Sequence, residues 1–307
     1  MSSAFSVLIC TYNRHELLNK ALEALLQGTQ EKPDQVVIVN GGDEHADQVV
    51  AAHQMRCPSG TEIKLIKTVN KNLAASRNVG LPHCDGAIVA MTDDDAEVFP
   101  DWVTQMKSVH AEHPEAGAVG GRVLGADSHK SLLSRLADIV TFPSSSEARY
   151  VSTLPGVNVS YKRSVLDIIG FQDETLFRGE DVDFNWRVQK AGYRIFYHPK
   201  IKVWHHHRPT LRQFFRQHYM YGRAYYLVRR KWRDMYCLYP HRFRTVKDFL
   251  KAAHFVVSAF YEPLWCSSRL SSWTDRLTAL PILFWNSVIW RSGMLYQGFL
   301  EWKKARS

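Results

Sequence analysis

Short β-forming runs, each followed by a stretch of helical spacing, constrain this chain of 307 residues more than any other feature. FSVLIC (5–10) is followed from His15 by Leu17, Leu18, Ala21, Leu22, Leu25 and Leu26, which share one helical face. QVVIVN (35–40), IKLIKT (63–68) and AIVAMT (87–92) repeat the strand signal, bounded by Gly, Asn, Asp or Pro. Strands that alternate with helices pair in parallel, because each crossover returns the chain to the same end of the sheet. An α/β domain on a mainly parallel sheet is therefore expected. Ligands of such sheets sit beyond the carboxyl ends of the strands, where Asn40-Gly41-Gly42-Asp43 and Asp93-Asp94-Asp95 fall. Further on, Pro100 and Asp101 introduce a helix over 102–113, GAVGGRVL (117–124) reads as a strand, and RIFYHP (194–199) reads as the last one. From Pro209 the character changes: Leu211, Phe214, Phe215, His218, Tyr219 and Gly222 repeat at helical spacing between Arg212, Arg216 and Arg223.

Composition excludes several classes. The five cysteines, with no CxxC pair, suggest neither a disulfide framework nor a zinc site. The first residues carry no basic flank before an apolar core, and no run reaches about 18 uninterrupted apolar residues. Neither secretion nor a membrane span is expected, and the cytoplasm, with peripheral attachment to the inner face of the membrane, is the expected location. Residues 1–199 hold 19 Lys+Arg against 25 Asp+Glu, a net of −6, and residues 200–307 hold 20 against 5, a net of +15. The partner-seeking charge lies in the C-terminal third.

The acidic clusters carry the chemistry. Two carboxylates about 4 Å apart repel by ~4 kcal/mol at an effective dielectric near 20, so a converging set calls for a cation. Strand alternation turns Asp93 and Asp95 to one side and Asp94 to the other. Hard oxygen ligands of this kind suit Mn²⁺ or Mg²⁺, which also bind phosphates of a substrate. An acidic surface turn would show the same three letters. In FRGEDVDFNWR, Glu180, Asp181 and Asp183 stand where a loop gives way to a helix; they can supply a general base with a supporting partner, or simply complement the helix dipole. Of the run Trp204-His205-His206-His207, strand geometry allows His205 and His207 to share a side.

In order, SVLICTYNR, VVIVNGGD, NLAASRNVG, MTDDDAEVFPDW and GVNVSYKRSVLDIIGFQDETLFRGEDVDFNWRVQKAGYRIFYHPKIKVWHH resemble the family-2 glycosyltransferases of GT-A fold, over roughly residues 5–230. The resemblance implies a Rossmann-like nucleotide-binding sheet in a catalytic domain over 1–208. The nucleotide-sugar half is expected at about 1–125, the acceptor and base half at about 126–208, and a helical, basic extension over 209–307. It implies a hexosyltransferase-type enzyme that moves a sugar, with inversion, from a nucleotide diphosphate sugar, expected to be UDP-linked, to a hydroxyl of a glycan or lipid-linked glycan.

Donor-binding residues carried over from the family are Thr11, Tyr12, Asn13, Arg14, Asp43, Arg77, Asp93 and Asp94. The family's base-binding aspartate at the end of the second strand is Asn40 here, whose amide offers a donor and an acceptor to a uracil edge. Asp93 and Asp95 match the DxD motif, and His205 matches a histidine that binds metal or diphosphate. Asp181 matches the catalytic base, with Glu180 as its neighbour. Gly156 and Asn158 match a loop that approaches the donor sugar.

The basic, aromatic tail adds an anionic membrane surface as an expected partner. Two other readings use the same features. A sugar-phosphate nucleotidyltransferase would also need paired aspartates and a metal, but CTYNRHELL lacks its Gly-rich phosphate loop. A nucleic-acid-binding protein would use the basic, aromatic third, but no nucleic acid is expected.

Overall fold

The structure, a computed structural model, describes residues 4–142, 145–208, 210–237, 239 and 243–306. Pro209, where the sequence changes character, lies outside the described residues. In chain order the elements are β1 (Phe5–Thr11), α1 (His15–Glu23), β2 (Gln35–Asn40), α2 (Glu44–Met55), β3 (Glu62–Lys67), α3 (Leu73–Gly80), β4 (Ile88–Asp93), β5 (Ala96–Val98), α4 (Trp102–Glu112) and β6 (Ala116–Gly125). They continue with α5 (Leu132–Val140), β7 (Arg149–Val151), β8 (Val159–Lys162), α6 (Arg163–Ile169), α7 (Glu180–Lys190), β9 (Arg194–His205), α8 (Leu211–Lys231), α9 (Val246–Ser268) and α10 (Trp273–Lys304). Two compact units result, Met1–Ala126 with Ser144–His206, and Asp127–Pro143 with His207–Ser307.

The first unit is built on one sheet of order β3-β2-β1-β4-β8-β6-β9-β5, with β7 paired to β9. The strands β3, β2, β1 and β4 are mutually parallel. β1 and β2 are buried along their whole length, as expected of strands covered on both faces by helices. Leu8, Val37, Val89, Tyr161, Phe184 and Val188 belong to its core. The sheet is mixed beyond β4: β8 runs antiparallel to β4 and to β6, and β9 is parallel to β6.

Three strand features escape sequence periodicity. β5 and β7 span three residues each, too few for alternation to register. The last strand was expected to stop at Pro199, which cannot donate to a ladder, yet β9 continues to His205. A register shift absorbs the proline: Gly121 pairs with His198, and Arg122 pairs with Lys202. That extension positions the site, because Ala96 of β5 lies opposite His205 in an antiparallel pair.

The second unit is helical. Gly222 of α8 and Gly293 of α10 let the two helices meet backbone to backbone: a Cβ on Gly222 would lie 1.9 Å from the Trp290 carbonyl oxygen, and one on Gly293 2.2 Å from that of Tyr219. Leu136 of α5, Phe214 of α8 and Leu283 of α10 share a core cluster. Arg291 of α10 is buried and donates to the Phe255 carbonyl at 2.8 Å and to Glu262 of α9 at 2.9 Å. A capping box joins Thr245 and Asp248 at the start of α9. Among the described residues, no helix is long and apolar enough to cross a membrane.

Candidate active site

The turn that follows β4 sorts the three aspartates. Asp94 is wholly buried, accepts a hydrogen bond from Thr11 Oγ1 at 2.8 Å and pairs with the Arg14 guanidinium at 2.6 Å. Burial pushes its carboxyl up to about 7, against the lowering pull of Arg14. Arg14 also bonds Asp95. On the other side, Asp93, Asp95 and His205 each offer one ligand atom, and these atoms lie within 4.8 Å of one another. His205 Nε2 is 3.3 Å from Asp95 Oδ1. The backbone holds this approach, since His206 N–H donates to the Asp95 carbonyl at 2.9 Å. Two carboxylates and an imidazole form a donor set that fits Mn²⁺ or Mg²⁺, with further positions left to phosphate oxygens and water. The other two histidines are used elsewhere: His206 pairs with Glu97 at 2.7 Å and His207 with Asp138 at 2.9 Å.

Arg77 links this cluster to the start of α7. It is buried, donates to Asp93 at 3.0 Å, to Glu180 at 3.4 Å and to the Gly156 carbonyl at 3.3 Å. Burial alone would lower its pKa; Asp93 and Glu180 outweigh that and raise it, so the guanidinium is a fixed positive charge. Gly156 in turn donates its N–H to Asp181 Oδ2 at 3.3 Å, and Val182 N–H donates to Oδ1 at 2.8 Å. Burial raises both acids of the pair, Glu180 to about 7 with the further help of the Asp181 charge. The two backbone donors favour the anionic form of Asp181 against that burial. Gly156 has no room for a side chain: a Cβ there would lie 2.6 Å from Arg77 Nη1.

The remaining residues fall into three groups. Asn13 adopts a positive φ of 52° and accepts from Asp43 N–H at 3.0 Å, which ties the turn after β1 to the turn after β2. Tyr12 is exposed, and Asp43 caps α2 by accepting from His45 N–H at 3.2 Å. Asn40 is buried, and its amide donates to the Asp43 carbonyl at 2.8 Å and to Asp47 at 2.7 Å while its oxygen accepts from Gly42 N–H. Both amide hydrogens are thus spent within its own loop, and one lone pair of the oxygen is what remains for a base edge. Asn158 is wholly buried: it accepts from Trp102 Nε1 at 2.8 Å and donates to the Arg122 and Ile201 carbonyls. It pins strands together, and Gly156 alone of that loop pair touches the acidic cluster.

The sequence reading missed Asp47 and its ion pair with Lys67 at 2.6 Å, and Glu97 behind His206. For Glu97 the only signal is alternation with Asp95 along the chain, and for Asp47 there is none beyond its place in the first turn of α2.

The mixed sheet with its flanking helices is the GT-A fold of glycosyltransferases. The chain belongs to glycosyl transferase family 2: the profile of that name matches residues 6–167, and one for "glycosyl transferase family group 2" matches 88–300. It is 27% identical over 224 residues to a glucosyl-dolichyl phosphate glucuronosyltransferase of Haloferax volcanii, a match that covers 65% of this chain and 68% of that protein. It is 29% identical over 202 residues to a pre-mycofactocin glycosyltransferase of Mycobacterium tuberculosis, covering 61% of this chain but 40% of that one. Among solved structures, a mannosyltransferase from Pyrobaculum calidifontis in complex with GDP-Man and Mn²⁺ superposes with a TM-score of 0.68 at 18% identity, over 98% of this chain and 88% of that one. S. aureus TarS in complex with UDP gives 0.55 at 16% identity, over 94% and 88%.

Proposed function

We propose that the chain is an inverting glycosyltransferase that transfers a sugar from a nucleotide diphosphate sugar to a hydroxyl of a glycan or lipid-linked glycan. The convergence of Asp93, Asp95 and His205, joined through Arg77 to Asp181, carries this reading. A bound Mn²⁺ or Mg²⁺ would supply Lewis-acid stabilisation of charge on the departing diphosphate. The chain's own residues do the rest. Thr11, Tyr12, Asn13, Arg14 and Asp43 line the nucleotide side, where Arg14, now bonded to Asp94 and Asp95, supplies positive charge for the donor. Asp181 takes the proton of the attacking hydroxyl, since an alcohol is a poor nucleophile until that proton leaves. Its two backbone donors fix the carboxylate, while burial keeps it more basic than a carboxylate in water. Glu180 and Arg77 position it. Attack from the face opposite the diphosphate inverts the anomeric centre.

A UDP-linked donor remains the proposed one, with Asn40 Oδ1 as the contact left for the base. The solved relatives bind GDP-Man in one case and UDP in another, so the donor panel should include both. A lipid-linked acceptor draws support from the glucosyl-dolichyl phosphate named for one relative. The nucleotidyltransferase and nucleic-acid readings are not carried further, because the chain's family is one of glycosyl transferases. The test is a panel of UDP- and GDP-sugars with Mn²⁺ or Mg²⁺, following release of nucleotide diphosphate. Metal-dependent release from one donor, lost in Asp95→Ala, is expected. Release that persists without metal, or in that variant, would overturn the site.

A further inference from the structure

The sequence places an anionic-surface contact in the basic, aromatic extension over 209–307; within the second unit Phe214, His218 and Gly222 of its first helix, α8, are turned inward. The exposed apolar surface lies on α9 and α10. Along α9, Val246, Leu250, Val257, Phe260 and Leu264 recur at helical spacing and are all exposed, Phe260 by 62%. Trp273, Leu277, Trp285, Leu295, Phe299 and Trp302 do the same along α10, with Trp285 exposed by 56%. Ring contacts join the two stripes: Phe260 lies 5.9 Å from Phe284, and Phe284 lies 5.9 Å from Trp285. At 1.5 Å per residue, the stripe from Val246 to Leu264 of α9 is about 27 Å long. An apolar patch of that extent is not ordinary water-facing surface.

Charge around the patch decides what covers it. Each acidic side chain on the two helices is bonded within the unit: Asp248 to the Thr245 and Arg244 amides, Glu262 to Arg291, Asp275 to Arg135 and Glu301 to Arg230. The exposed charges on the same helices are cationic, Lys247, Lys303 and Lys304, with Lys251 half-exposed. The same face of a second copy would bring further cations and only carboxylates that are already bonded. An anionic bilayer brings phosphate headgroups to the cations and takes the Trp and Phe rings at its interface. No described helix can span a membrane, so the contact lies in the plane of the interface.

We infer that α9 and α10 together form a docking face for an anionic lipid bilayer surface. The inference does not depend on which sugar the site transfers. The test is flotation of the full chain with vesicles of phosphatidylcholine alone and of phosphatidylcholine with phosphatidylglycerol. Binding to the anionic vesicles only is expected, at least tenfold weaker in ~0.5 M salt, where the Debye length shrinks to a few ångströms. Phe260→Ser with Leu264→Ser, and separately Trp273→Ser with Trp285→Ser, should each weaken it at least tenfold. These side chains are exposed, and circular dichroism confirms that the variants fold. No binding to either vesicle, or binding that both double variants leave intact, would overturn the inference, as would a dimer in solution that the substitutions dissolve. Nucleotide release without vesicles should be unchanged in the double variants. Its absence in the wild type would count against the site and not against the docking face.

Discussion

Arg77 is the residue on which most of the site hangs, since Asp93, Glu180 and the Gly156 carbonyl all depend on one buried guanidinium. Replacing it with Met leaves buried carboxylates uncompensated, a change of about 3 kcal/mol in stability, read as a lower denaturant midpoint. Gly156→Ala makes a finer probe. Its Cβ would press on Arg77 and shift the positive charge, so turnover should fall on the order of 10²-fold while stability falls less than in the Met variant of Arg77. Equal turnover would mean that Arg77 can move without consequence. Such positions show what was legible in the sequence. Asp93, Asp95, Arg77, Asp181 and His205 stand in motifs whose order is itself informative, and the fold brings them together. The side-chain partners of Asn40 and Asn158 were not legible. Both residues sit in such motifs too, but their amides are consumed by Asp47, Trp102 and two strand carbonyls that are distant in sequence or silent in pattern.

Elements were legible where they were long and periodic. β1, β2, β4 and α4 lie within a residue or two of their expected bounds. The path of the far sheet edge was not, because β5 is short and β9 runs through a proline by way of a bulge. The packing of α4 makes a pH prediction. His110 is buried and its Nε2 lies 3.0 Å from Ser160 Oγ; Ser160 donates its own proton to the Val119 carbonyl, so Nε2 carries the ring hydrogen. Nδ1 has no hydrogen-bond partner among the described residues. Burial, and then the Lys162 charge, push this imidazole down to about 3 from 6.5. The unfolded chain therefore takes up a proton below 6.5 that the folded chain refuses. Stability present above pH 6.5 is lost as pH falls toward 3, at ~1.4 kcal/mol per unit. His110→Gln keeps the donor to Ser160 and removes the titration, so urea midpoints below pH 6.5 should decline less steeply. An unchanged slope would show that the ring is protonated in the fold. In the second unit, Gly293→Val should cost more than a surface substitution, at least ~2 kcal/mol, because α8 and α10 must separate to admit it.

At the scale of the molecule, charge and function divide along the chain. The acidic residues 1–199 hold the candidate site except for His205, and the basic residues 200–307 hold the exposed apolar helices. The charge division was legible from composition; the face that bears it was not, because exposure of α9 and α10 is a property of packing. The central claim is that Asp181 removes the acceptor's proton at a site assembled by Asp93, Asp95 and His205. Its most direct test is the Asp181→Asn variant, with donor affinity measured by calorimetry in the presence of Mn²⁺ beside the rate of sugar transfer. Donor binding within a few-fold of wild type, with transfer lowered by about 10²–10⁴, is the expected result. Transfer at the wild-type rate by Asp181→Asn would contradict the account.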